Sequence, residues 1–454
     1  MTQLKSTKSL LTGAVAALAL AASSAAAYAA DVGKHVPITV VINQSPWYGP
    51  FEALAEYYEE TTGNEVNFDV NPFPALLEKQ RNSVRASAGD GEFDILATNA
   101  IWIPEFYHAG YLEALTDIDP SITLKEGVPA LSETVYWDAE GKINSAESGK
   151  LMGIPLIANV QVLYYRADLY EEHGLEHPPQ TWEDVKVAAE AFHDSPSFYG
   201  IGHQGNRGAP DASFNFLPFL RSHGGSIFAD EPGGDYSVTI NSPEALAALN
   251  YWTDTGTRLG PNNPGSISQG KLIQLMTTGK VGHAVLVAAA WTQMDNPDKS
   301  VVVGKVNTAV LPKGPDGDQS TTLAHFIGHV PANIPDDRKA AAAAFLNWFQ
   351  TKEAQDKYME LGGISIRTDT LAEYGESDPV TYRWAKPLAD SLGVTDIFYS
   401  IPQGSQIVPI LELYLNKAII GEISNEEALN SAAADIEALM NELGYPTGRL
   451  PDLQ

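Results

Sequence analysis

The sequence contains no cysteine, has few basic residues, and beyond its first thirty positions shows no apolar run long enough to cross a bilayer. Each shortage excludes something. Without cysteine there are no disulfide staples and no thiolate metal sites. An exported protein tethered through a lipidated cysteine is excluded as well, so stability must come from ordinary core packing. The 28 lysines and arginines face 57 acids, leaving a formal net charge of −29. Nucleic acid and anionic membrane surfaces both recruit basic patches, and this balance argues against either as a partner.

What is present points to a large folded protein. Apolar residues make up 44% of the chain and aromatic ones 9%, enough to build a core. At 454 residues the chain exceeds what one core usually serves, so two lobes or domains are expected.

The first thirty residues read as a secretory leader. Lys5 and Lys8 give a positive start, and Leu10 to Ala22 is an apolar run of about 13 residues, short of the roughly 20 that span a membrane. Ala27-Tyr28-Ala29 has the small-x-small form that a signal peptidase accepts. Loss of the leader would remove two lysines and no acid. Without an anchoring cysteine, the expected location is the periplasm.

From Pro37 strand and helix patterns alternate. Ile38–Ile42 is β-branched throughout, the pattern of a strand buried on both faces. A polar and aromatic loop, Asn43–Gly49, leads to a helix that opens at Pro50 and closes at Gly63. A strand over Glu65–Val70, a helix over Pro74–Ala88 and a strand over Phe93–Ala97 complete a β-α-β-α-β unit. Further on, Gly153–Pro155 and Val162–Tyr165 read as extended, Thr181 and Ser242 as helix caps, Val281 onward and Val301–Leu311 as extended, and Pro335–Gln350 as a helix. The stretch from about Ile407 to Leu443 is mostly helical. No long flexible linker interrupts this order, so the lobes are expected to be built from interleaved segments.

Motifs for chemistry are scarce. There is no Walker loop, dinucleotide fingerprint or G-x-S-x-G elbow. His325 and His329 stand four apart, as a helical metal pair would, but their surroundings read as extended, which separates them. Asp230, Glu231 and Asp235 sit in a Gly-Pro loop whose spacing fits no standard calcium loop. Paired carboxylates at glycosidase spacing are possible among 57 acids, and spacing in sequence does not select a pair. No cofactor and no metal are expected.

One ordered set of segments resembles a known family. Leu151-Met152-Gly153-Ile154-Pro155, Asn159 and Leu163-Tyr164-Tyr165-Arg166-Ala167-Asp168-Leu169 resemble the hallmark stretch of the family 1 extracellular solute-binding proteins. Pro178 to Asp184, His223-Gly224-Gly225, Trp291, Leu311 to Gly314, Phe345 to Phe349 and Gly362-Gly363 with Arg367 follow in the family's order. The resemblance implies an α/β, two-lobed periplasmic-binding-protein fold of the class II type, with a ligand cleft between the lobes. It further implies a monomer that binds a small sugar-like molecule, a mono- or disaccharide, polyol or glycoside, and hands it to the membrane permease of an ABC importer. The expected division is a leader at 1–30, a first lobe from 31–157 and 308–364, and a second from 158–307 and 365–454. The maltose-binding branch carries an aromatic pair where this chain has Ile401–Val408 without a ring, which favours a small ligand over a long maltodextrin.

Candidate contacts follow from position. Ligands of open α/β sheets lie beyond the carboxyl ends of the strands. That rule selects Gln44, Trp47 and Tyr48 from one loop and Asn99 and Trp102 from another. Asn159, His203 and Gln204 follow further extended stretches, while Trp291, Gly363 and Arg367 come from the family's motifs. Amides both donate and accept, and rings pack on the C–H faces of sugars, so this mixture suits a polyhydroxylated ligand. Core packing is the alternative for every tryptophan, and pairing with an acid is the alternative for Arg367. A charged or non-sugar solute (a sulfonated sugar, a phosphodiester, an amino compound) and a secreted two-carboxylate glycosidase remain as competing functions.

Overall fold

The computed structural model describes residues 32–129, 133–208, 210–231, 234–396, 401–445 and 447–454. The leader expected at 1–30 lies outside them. No helix among the described residues is long and apolar enough to cross a membrane.

Two sheets organise the chain. In the first, Ile38–Asn43 lies between Val66–Asn71 and Ile95–Asn99, parallel to both. Phe326–Pro331 then pairs antiparallel with Ile95–Asn99, Leu112–Glu113 and Gly153–Ile157. The second sheet runs Val306–Ala309, Gln161–Arg166, Val281–Val287, Tyr199–Gly202, and only the last pair is parallel. Central strands are buried along their whole length, which is why they read as continuous apolar runs without alternation.

Local chemistry sets the element ends. Gly63 takes the left-handed conformation (φ 72°) that closes the first helix, Tyr48–Thr62. Thr181 and Asp184 form a reciprocal capping box at Trp182–Phe192, and the Ser242 hydroxyl caps Pro243–Arg258. Three expectations need correction. The second helix is Phe73–Val84 and stops four residues before Ala88. Of Val301–Leu311 only Val306–Ala309 is strand, because the preceding residues turn through Gly304 (φ 73°). Two helices, Thr368–Ser377 and Ala385–Leu392, stand where no element was expected.

The crossings between sheets define the hinge. Residues 158–160 lead from the first sheet to the second, and the chain returns beyond Ala309. The two crossings run antiparallel, bridged between Val160 and Leu323, and the Ala324 N–H donates to the Asn159 carbonyl at 2.8 Å. The expected boundary at 307/308 thus falls inside a strand of the second sheet, since Val306–Ala309 pairs with Gln161–Arg166. The boundary at 364/365 also moves. Thr368 N donates to Gly127 O and Thr370 Oγ1 to Asp356, which keeps Thr368–Ser377 with the first lobe. Gly404–Ile419 and Asn425–Glu442 pack on the second lobe's helices.

Candidate functional site

Strand ends from both sheets converge on one cavity of about 200 Å³. Asn43 ends the first strand and Gln44 follows it, its N–H donating to Asn71 O at 2.7 Å. Asn99 ends the third strand, and its Oδ1 accepts from Ile101 N at 3.2 Å, a side-chain turn that re-aims the backbone. Phe326 enters from the antiparallel strand, so its amino end meets the carboxyl ends of its neighbours. From the second lobe come Gln204, Asp211, Gln269 and Val287. At the hinge Asn159 reaches both ways: Nδ2 donates to Ala324 O at 3.2 Å and Oδ1 accepts from Ala289 N at 3.0 Å.

The lining is rich in amides and poor in charge. Six carboxamides reach it, from Asn43, Gln44, Asn99, Asn159, Gln204 and Gln269. Among the described residues no lysine, arginine or histidine lines it, and Asp211 is its one acid. That carboxylate already accepts from Gln269 N at 3.0 Å and Asn206 Nδ2 at 2.9 Å, and burial raises its pKa. Four lining atoms are buried without a protein partner: Asn43 Oδ1, Ser45 Oγ, Trp47 Nε1 and Gln204 Oε1. Buried polar atoms are nearly always paired in folded proteins, so four orphans on residues of one cavity wall set that wall apart from the rest of the core. The Thr292 hydroxyl donates to Pro46 O across the cleft at 3.4 Å.

Of the residues selected from sequence, Gln44, Trp47, Asn99, Asn159 and Gln204 line this cavity. Trp47 lines the cavity as a packed ring, not a free one. It is 1% exposed, edge-on to Phe51 at 5.4 Å and tilted against Phe326 at 5.6 Å. Trp102 lines an adjoining chamber, with its ring 4.6 Å from that of Phe73.

The other five sit elsewhere. Tyr48 turns outward, donating to Glu52 at 2.6 Å and packing on Phe68. His203 is buried beside Phe219 and Trp252, its Nε2 meets Thr255 Oγ1 at 2.8 Å, and burial pushes its pKa down to about 3. Trp291 stacks on Tyr164 with the Arg383 guanidinium 4.5 Å from its ring centre. Gly363 packs against Tyr358, where a Cβ would lie 2.1 Å from the ring. Arg367 is spent on structure, with a bidentate pair to Asp369 and a bond to Gln350 O.

Sequence reasoning missed Phe73, Asp211, Phe214 and Gln269. Phe73 and Asp211 open helices that follow strands, so the rule that found Asn99 would have found them too. Gln269 begins a helix after a turn and a short 3₁₀ segment, with no comparable signal.

The family model of the bacterial extracellular solute-binding proteins matches residues 41–356. A probable ABC transporter-binding protein of Deinococcus radiodurans is 26% identical over 299 residues, 63% of this chain and 66% of that one, so the chain spans slightly under two thirds of it. The mannitol-binding protein of Pseudomonas aeruginosa is 24% identical over 389 residues, 81% of this chain and 85% of that one. Among solved structures, an ABC transporter solute-binding protein from Agrobacterium radiobacter in complex with ribitol superimposes with a TM-score of 0.75 at 20% identity, covering 89% of this chain and 98% of that one. The architecture is therefore the two-lobed periplasmic-binding-protein fold.

Proposed function

Since the chain belongs to the bacterial extracellular solute-binding proteins, we propose that it captures a small, neutral, polyhydroxylated solute between its lobes and passes it to an ATP-driven importer. A polyol or monosaccharide fits best. The observation that carries this is the amide-rich, nearly charge-free lining, four of whose residues (Asn43, Ser45, Trp47 and Gln204) also hold a buried polar atom without a protein partner. Hydroxyls, each able to donate and accept, match a wall of carboxamides that do the same.

Size and charge support the same solute. A cavity of about 200 Å³ lies below the usual range for drug-sized ligands, which begins at roughly 300 Å³, and so favours one sugar unit over two. Among the described residues no cation lines this cavity, which disfavours a sulfonated sugar or phosphodiester whose charge would be buried there unpaired. Two relatives bind acyclic polyols, mannitol in one and ribitol in the other. Hydrolysis of a glycoside needs two carboxyls about 5–9.5 Å apart astride the bond, and the lining supplies Asp211 alone, so binding without chemistry is the reading we adopt.

Because the cavity is walled by both lobes, solute completes its contacts only in the closed form and stabilises that form by the difference in affinity. The closed protein, a periplasmic monomer freed of its leader, would then be what the permease accepts. A thermal-shift screen of the mature protein tests this against D-mannitol, ribitol, monosaccharides, amino sugars, sulfonated sugars and amino acids. A solute at a hundred to a thousand times its Kd should add about 3–4 kcal/mol of stability. A response confined to anionic or amino compounds would replace the solute class, and silence across the panel would remove the binding function.

A further inference from the structure

The cleft does not end at the amide-lined cavity. A second chamber of about 300 Å³ adjoins it, and Phe73, Ile101 and Pro210 line both. Chemistry changes across that shared wall. Among the described residues no carboxamide lines the second chamber; its remaining walls are mainly Pro74, Leu77, Trp102, Val408 and Pro409. Its polar members are few. The carboxylate of Glu412 is turned to Ser213, accepting from that backbone N–H at 2.7 Å and hydroxyl at 2.6 Å, and Ser405 and the exposed Arg207 complete the rim.

A sugar ring entering this chamber would leave most of its hydroxyls without partners, and each unmade bond is costly. An apolar group would lose nothing and would cover the half-buried Phe73, Leu77 and Val408 and the exposed Pro74 and Pro409, with Trp102 packed behind Phe73. The walls come from the first-lobe helix Phe73–Val84 and the second-lobe helix Gly404–Ile419, so closure encloses whatever lies there.

We propose that the second chamber receives an apolar substituent, aromatic or alkyl, borne by the same ligand whose polyhydroxylated part fills the first cavity. The solute is then a glycoside or a substituted polyol, and this inference rests on the polyol and sugar reading above.

Titration calorimetry on the mature protein with matched pairs tests it: D-glucose, D-galactose, D-mannitol and ribitol, each against its 1-O-phenyl derivative, in both anomers for the sugars. In at least one pair the phenyl compound should bind ten times more tightly than its parent, or bind where the parent does not. Val408→Trp, which crowds only the apolar chamber, should return that pair to parity; Leu77→Trp does the same from the opposite wall should the first variant fold poorly. If parents bind and no phenyl partner binds more tightly, the inference falls while the polyol reading stands. A gain that survives both tryptophan variants also overturns it, by placing the phenyl group elsewhere. Binding by no member of any pair removes both readings together.

Discussion

Glu412 and Ser213 are joined by two short hydrogen bonds, one from the serine N–H at 2.7 Å and one from its hydroxyl at 2.6 Å. The pair locks helix Gly404–Ile419 to the first turn of Asp211–Ser222, whose opening residue lines the cavity. Burial raises the Glu412 carboxyl from 4.5 to about 7, against the opposing effect of the serine bonds.

That shift fixes a sign. The folded state holds the Glu412 proton harder than the unfolded chain does, so stability from this group falls as pH rises from 4.5 to about 7 and returns on acidification. Five buried histidines, His223 among them, act oppositely. His203, His325 and His329 are pushed down to about 3 and His283 to about 4, so the stability they allow is complete above 6.5 and lost towards those values. Five histidines outweigh the two raised carboxyls, Glu412 and Asp211, and the wild type should lose stability on acidification below pH 6.5. Glu412→Gln removes one of the two raised carboxyls. Its stability relative to wild type should rise by about 1–3 kcal/mol between pH 5 and pH 8, read from urea melts. An offset equal at both pH values would mean that the carboxyl stays ionised throughout.

Trp47 offers a cleaner test of the cavity. Trp47→Phe keeps a ring against Phe51 and Phe326 but deletes the unpartnered Nε1. The solute-free protein should lose about 1–2 kcal/mol, the cost of a smaller ring in a packed site less the relief of an unpaired donor. Affinity for the solute found by the screen should fall roughly tenfold, the worth of one hydrogen bond to a buried partner. Calorimetry and a melt on the same sample separate the two effects; unchanged affinity would mean the indole N–H faces no ligand atom.

Gly363 gives the opposite pattern. A methyl there would sit 2.1 Å from the buried ring of Tyr358. Gly363→Ala should cost about 1–3 kcal/mol of stability while the folded protein binds solute as before. A loss of affinity without a loss of stability would return Gly363 to the binding site.

Much of the fold was legible because it depends on near neighbours in the chain. The apolar run at Ile38–Ile42, the Gly63 stop and the Thr181–Asp184 cap all appear where the pattern places them. The amides of the cavity were legible for a related reason. Strand ends are local features, and they and the residues just beyond them supplied Asn99, Gln44 and Gln204.

The aromatic residues were not legible in this way. Trp47, Trp291 and His203 share with Trp102 the look of loop residues, yet each faces a different environment. Phe326 covers Trp47, Arg383 and Trp384 enclose Trp291, and Trp252 with Phe219 encloses His203. Every one of those partners comes from a distant part of the chain.

The sequence by itself therefore determined the order of strands and helices, their caps, the family, and the amide character of the loops, since period and capping act within a few residues. Only the tertiary structure decided which rings are core and which are wall, where the lobes divide, and that an apolar chamber adjoins the polar one. Burial and cavity shape are properties of pairs of surfaces, and those surfaces meet only when both lobes are assembled.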